Sequence, residues 1–155
     1  MDMQATSQVI TEILVDLLHR FEIDATTDVV TDETGAYRVR IQTEETGLLI
    51  GHHGRTLESL QLILGIMVAK KIGEWVKIYV NVGDYREKRE ETLMHMAQRA
   101  ADRALAMGRS VELSRLSPSE RRIIHVTLSG DERVMTESVG EGDGRVLIIK
   151  PKDIQ

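Results

Sequence analysis

Apolar residues recur along this chain in two rhythms, one of three to four residues and one of two. Over residues 7 to 19, Val9, Ile10, Ile13, Leu14, Leu17 and Leu18 fall three and four apart, which predicts an amphipathic helix. Phe21 to Val30 has a mixed pattern read as a strand. Thr31-Asp32-Glu33-Thr34-Gly35 reads as a hairpin turn with Gly35 at positive φ. Tyr37, Val39 and Ile41 then alternate with Arg38, Arg40 and Gln42 as a half-buried strand. A short helix ends at Ile50. After Gly51-His52-His53-Gly54 a helix runs from about Arg55 to Lys71, with Leu57, Leu60, Leu64 and Met67 marking one side. Its interior Gly65 costs about 1 kcal/mol relative to alanine, so another element is expected to approach closely there. Gly73 ends the helix, and Trp75 to Val82 alternates as a third strand.

At Gly83-Asp84-Tyr85 the rhythm changes. Asp84 and Glu87 have the spacing of a capping box, and the chain then runs to Ala106 without glycine or proline. Leu93, Met96, Ala97, Ala100, Ala101, Ala104 and Leu105 form one stripe, predicting a long helix packed on one face and stopped by Gly108. The stripe is too rich in alanine and too short for a coiled coil. Val111 to Leu113 is a short strand. Ser117-Pro118-Ser119-Glu120 supplies a cap, a proline in the first turn and an acid three residues after the cap, so a helix starts there and runs to about Leu128. Arg133 to Val139, the Gly140 to Gly144 turn and Arg145 to Lys150 make a last hairpin. The expected class is α+β in two domains, residues 1–82 and 83–155, the second including a long connecting helix over 84–107.

Composition narrows the choices. The chain has 155 residues and no cysteine, which excludes disulfides and thiolate chemistry and leaves only His, Asp or Glu as ligands for zinc. No stretch is long and apolar enough to cross a bilayer and no signal peptide opens the chain, so a cytoplasmic location is expected. The net charge of −5 argues against a nucleic-acid binder, but it is unevenly spread. Residues 1–45 carry ten acids against three bases, and the remainder fifteen acids against seventeen bases. A local positive surface therefore remains available after residue 45.

Two places carry candidate chemistry. Gly51 and Gly54, three apart, allow positive φ and close main-chain approach, and the next helix opens with free N–H groups. Such a turn suits a sugar-phosphate backbone, although a corner between helices would need the same glycines. Arg121 and His125 lie four apart with Arg122 beside the first, so a guanidinium fork and an imidazole share a helix face. This pair suits a phosphate or sugar edge. It equally suits surface charge paired with Glu120 or Glu137. Neither Gly-x-x-x-x-Gly-Lys nor its leading strand occurs, which excludes that route to nucleotide hydrolysis. The imidazoles of adjacent residues His52 and His53 are expected to diverge around the turn, and no other His or acid stands at a ligand-like interval, so neither a metal nor another cofactor is expected. Asp84, Glu87, Glu90 and Glu91 read as caps and solvated charge and not as nuclease carboxylates.

Taken with the order of elements around it, Gly51-His52-His53-Gly54 resembles the Gly-x-x-Gly loop of a type II KH domain. Arg121-x-x-x-His125, within Ser117 to His125, resembles the signature of the single-stranded nucleic-acid-binding Arg-x-x-x-His domain. With the connector Gly83 to Glu91 and the segment Thr136 to Gly142, the chain resembles the bacterial Jag family, also called SpoIIIJ-associated or KhpB-like, over about residues 7 to 151. The resemblance implies a non-enzymatic protein that binds single-stranded RNA, or DNA, with backbone phosphates on the loop and bases in an adjoining apolar groove. It assigns Gly51, His52, His53, Gly54 and Arg55 to one contact and Arg121, Arg122 and His125 to a second, and alternation suggests Arg38 and Arg40 as flanks of the groove. It further implies a role in cell elongation, division or sporulation, and a small KH-domain partner or a homodimer. The additional amino-terminal domain that full-length relatives often carry is not expected in this chain. The loop positions that relatives often fill with lysine or arginine are histidines here, so binding is expected to be modest near pH 7 and tighter near pH 6. A protein-interaction scaffold with weak or no RNA binding is the alternative.

Overall fold

The computed structural model describes residues 2–152, which divide into two compact units, one up to Arg86 and one from Glu87. The first unit runs α1 (Met3–Arg20), β1 (Thr26–Thr31), β2 (Tyr37–Gln42), α2 (Thr46–Ile50), a single 3-10 turn over His52–Gly54, α3 (Arg55–Ile72) and β3 (Ile78–Val82). Its sheet has the order β1-β2-β3. β1 and β2 are antiparallel, joined by the expected turn with Gly35 at φ 79°. The Asp32 carboxylate organises that turn, accepting from the Thr34 N–H and hydroxyl, the Ala36 N–H and Arg38 Nε. The Thr34 hydroxyl and then Arg38 hold the Asp32 carboxyl well below the usual carboxylate range.

β2 and β3 are parallel, with Arg38 opposite Tyr79 and Arg40 opposite Asn81. Parallel neighbours need a crossover, and α2, the glycine loop and α3 supply it. The strict alternation of β2 buries Tyr37, Val39 and Ile41 together with Ile10 and Leu14 of α1 and Leu57, Leu60, Leu64 and Val68 of α3. Met67 is more than a third exposed, and Val68 takes the core position expected of it. β3 is an edge strand. Its outward polar groups at Val80 are covered, because the N–H donates to Gln61 Oε1 (2.9 Å) and the carbonyl accepts from Arg86 Nε (2.6 Å).

Two strand expectations were too long. Phe21 closes α1 by donating to the Leu17 and Leu18 carbonyls, Glu22 takes φ 56°, and pairing begins only at Thr26. Trp75, Val76 and Lys77 precede β3. Trp75 instead lies against Gly65, where an added Cβ would meet its ring at 3.3 Å, so the expected close approach at this glycine is made by the indole.

The second unit contains most of α4 (Tyr85–Met107), then β4 (Val111–Leu113), α5 (Pro118–Leu128), β5 (Val134–Val139) and β6 (Val146–Pro151). Its sheet is antiparallel in the order β4-β6-β5. The alanine stripe of α4 lets the helix settle closely. Leu93, Ala97, Ala100, Ala101 and Ala104 pack with Val111, Ile124, Leu128, Leu147 and Ile149, and Met96 and Leu105 flank this core. The fold class is α+β, as expected.

Between α5 and β5, Asp131 accepts from the backbone and side chain of Arg133 at 2.8 to 3.0 Å. The Arg133 side chain, then its N–H, lower the Asp131 carboxyl from 3.8 to about 2. On acidification the unfolded chain therefore takes up this proton first. The contribution of Asp131 to stability is complete above about pH 4 and disappears as the pH falls to about 2. Asp131→Asn is expected to flatten that part of an acid-unfolding profile, and an NMR titration placing the Asp131 midpoint in the ordinary range would refute the assignment.

Candidate nucleic-acid interface

The glycine loop is built from backbone states that few residues tolerate. Gly51 sits at φ 68°, ψ −169°, a region open essentially to glycine alone, and a Cβ there would collide with the Thr56 hydroxyl. Gly54 is left-handed at φ 80°, ψ 10°, and a Cβ on it would come within 2.9 Å of the Tyr85 ring. His53, between them, is left-handed as well, at φ 54° and ψ 30°. This conformation overturns the expected divergence of the histidines. It turns the His53 ring back onto His52, with ring centroids 3.9 Å apart and planes tilted by 31°. Both imidazoles and Arg55 are exposed. No group of three or more His, Cys, Asp or Glu among the described residues is placed to hold a metal ion.

From Gly54 the exposed side of α3 leads into a cleft of about 260 Å³. Gln61, Leu62 and Gly65 form one wall, and the segment Trp75 to Tyr79 forms the other. Trp75 is 63% exposed and Leu62 57%. The Gln61 carbonyl is fixed from both sides by the Val80 N–H and Arg86 Nη2. Arg38 stacks over the Tyr79 ring at 4.3 Å while its Nε holds Asp32, so it reaches the cleft only through that tyrosine. Arg40 projects from the same outward face of β2.

The second candidate contact starts at the cap of α5. Ser117 Oγ accepts from the Glu120 N–H (3.2 Å), and the Glu120 carboxylate returns a bond to the Ser117 N–H (2.9 Å), which completes the expected capping box. Just beyond it, Arg121 Nη1 donates to the Leu116 carbonyl at 2.7 Å. One turn further on, His125 Nδ1 and Thr136 Oγ1 of β5 share a hydrogen bond of 2.5 Å. Arg121, Arg122 and His125 come together in one groove of about 410 Å³ with Thr136, Ser138 and Arg145. Neither carboxylate considered as a partner for Arg121 takes that role. Glu120 is bound by Arg89 Nε (2.7 Å) and Glu137 by Lys150. Among the described residues no ion pair joins Arg121, Arg122 or Arg145 to an acid. Three guanidiniums, an imidazole and two hydroxyls facing one groove can hold a phosphate and a neighbouring sugar hydroxyl.

The model for the KhpA/KhpB KH domain matches residues 7–82, and that for the Arg-x-x-x-His domain matches residues 91–151. The chain belongs to the Jag family of KhpB-like proteins. It is similar to proteins named RNA-binding protein KhpB. The one from Clostridium symbiosum is 39% identical over 114 residues, 74% of this chain and 51% of that protein. The one from Bacillus subtilis (strain 168) is 38% identical over 128 residues, 81% and 62% of the two chains. The Lactiplantibacillus plantarum protein is 32% identical over 149 residues, 94% and 46%. This chain thus spans about half the length of the curated relatives it matches. Among the described residues no helix is long and apolar enough to cross a membrane.

Sequence reasoning missed Thr136, Ser138 and Arg145; it expected an apolar groove beside the loop but, apart from the close approach at Gly65, named none of the residues that line the cleft. Thr136 and Ser138 share a strand face by alternation, but nothing local says that α5 covers that face. Arg145 follows a glycine turn and reaches the groove only because β5 and β6 pair. At the loop, Gly51→Ala is expected to cost about 1 to 3 kcal/mol through positive φ and the clash with Thr56. Thermal melts of the variant check this, and an unchanged midpoint would show that the loop relaxes freely.

Proposed function

We propose that this protein binds single-stranded RNA in the cytoplasm, with no catalytic step, through two contacts of different character. The observation that carries the reading is the groove of Arg121, Arg122, His125 and Arg145, whose neighbouring acids are neutralised elsewhere in the same unit. A single strand laid there exchanges counterions for three guanidiniums. In the first unit, phosphates rest on Gly51-His52-His53-Gly54 beside Arg55, and bases enter the cleft where Trp75 and Tyr79 offer rings for stacking. All five of the chain's Phe, Trp and Tyr residues lie between Phe21 and Tyr85. Base contacts by stacking therefore belong to the first unit, and the second grips backbone. Family membership and the names of the relatives favour RNA as the ligand.

Titration of a labelled single-stranded RNA tests this. The wild-type chain is expected to bind with an affinity that falls as salt rises. His52→Asp/His53→Asp places two acids beside the backbone phosphates and weakens binding at least tenfold with the circular dichroism unchanged. Absence of wild-type binding at low salt would sink the reading.

A second property follows from α3. Beyond the cleft, Ile63, Ile66 and Met67 stay exposed, 46%, 50% and 36%, on a helix whose other side is core. Such a stripe fits a second copy of the chain packed antiparallel about the point between Leu64 and Gly65. Ile63 then faces Ile66, and Glu58 of one copy lies level with Lys71 of the other. Sedimentation is expected to give a dimer that Ile66→Asp converts to monomer. A monomeric wild type in the presence of a small KH-domain protein that binds only when Ile66 is intact would assign the face to that partner instead. A stable dimer without RNA binding would favour an interaction scaffold.

A further inference from the structure

The geometry points to Arg89 as a positioning residue for the Arg121–His125 groove, an inference that rests on the RNA-binding reading only for its functional consequence. Arg89 lies in the second turn of α4, and both it and Glu120 are largely withdrawn from solvent, with side chains 15% and 8% exposed. The Glu120 carboxylate is divided between two duties. Oε1 takes Arg89 Nε at 2.7 Å, and Oε2 takes the Ser117 N–H at 2.9 Å. Among the described residues this guanidinium is the one cation holding the acid that completes the α5 cap, and Arg89 Nη2 lies buried with no hydrogen-bond partner.

The cap stands between the two groups that aim Arg121. Leu116, immediately before the cap, offers the carbonyl that Arg121 Nη1 grips at 2.7 Å, and Arg121 itself immediately follows Glu120. The direction of the Leu116 carbonyl is set by the backbone of Ser117, which is tied to Glu120 by both bonds of the box. Removing Arg89 leaves a buried carboxylate without its cation. The carboxylate relieves that state by turning towards water or taking a proton, and either change loosens its bond to the Ser117 N–H. The Leu116 carbonyl then no longer presents a fixed landing point, and the Arg121 fork becomes one more mobile surface cation. Arg89 touches no ligand in this scheme and acts through Glu120 and the cap.

The test uses the full chain with Arg89→Met, and with Arg89→Met/Glu120→Met. The double variant removes both charges and covers the case in which the single variant does not fold. NMR of the Arg121 side chain is expected to show restrained rotation about its Nε–Cζ bond in the wild type and free rotation in both variants. The salt dependence of binding to a fluorescein-labelled oligouridylate is expected to fall by about 0.7 in slope, the value for one phosphate contact to a single strand. Adding Arg121→Met to Arg89→Met should then change the slope no further. A folded variant with lower thermal stability but wild-type Arg121 rotation and slope would overturn the assignment and leave Arg89 a purely structural residue. If Arg121→Met in the otherwise wild-type chain leaves the slope unchanged, the RNA-gripping role of this groove fails, and the rotation measurement still decides whether Arg89 positions Arg121.

Discussion

The parallel pairing of β2 with β3 is the constraint from which the first unit follows. Two strands running the same way side by side cannot be joined by a tight turn, so the chain must leave the sheet, cross one face and return. The crossing segment is α2, the glycine loop and α3, and it must be apolar on the side that lies over Tyr37, Val39 and Ile41. The loop is the corner of that crossing. It therefore projects where the core ends, which leaves His52 and His53 exposed without any cost in buried polar groups. The same pairing makes β3 an edge, and an edge strand beside an exposed helix side creates the cleft. Gln61 and Arg86 close the hydrogen-bonding groups at Val80, so the edge meets its surroundings mostly through side chains.

Overall acidity and a basic groove coexist because charge here is arranged locally. Asp32 is held by Arg38, Asp131 by Arg133, Glu120 by Arg89 and Glu137 by Lys150. Each of these acids is occupied by a cation that lies outside the groove of the second unit. What remains facing that groove is of one sign. At physiological ionic strength charges separated by more than about 8 Å scarcely feel one another, so the distribution within the groove outweighs the sum over the chain.

Much of this was legible in sequence, and for identifiable reasons. The period-two pattern of Tyr37 to Gln42, the alanine stripe of α4 and the complete cap at Ser117 are local signals, and each element formed where its signal lay. Gly65 announced a close neighbour without saying that it would be Trp75. The failures arose where a local pattern was outvoted. Phe21 to Ala25 alternates well enough for a strand, but α1 needs those residues to cap its carbonyls and turn the chain. Trp75 to Lys77 continues the rhythm of β3, yet Trp75 packs on the helix and leaves the ladder. The histidine pair was misjudged because one left-handed residue reverses the direction of a side chain, and sequence gives little warning of a non-glycine in that state. Arg145, Thr136 and Ser138 were invisible as a site because only tertiary pairing assembles them.

The placement of Trp75 also has an optical meaning. It is the chain's single tryptophan, it stands in the first unit, and the second unit contains neither tryptophan, tyrosine nor phenylalanine. Intrinsic fluorescence therefore reports on one unit only, and from a solvent-facing indole that lies against Gly65. The second unit is silent in emission and in the near ultraviolet. A single denaturation trace followed by tryptophan emission thus describes half of this molecule, while far-ultraviolet circular dichroism averages both halves. Any separation between the two traces measures directly how independently the units melt.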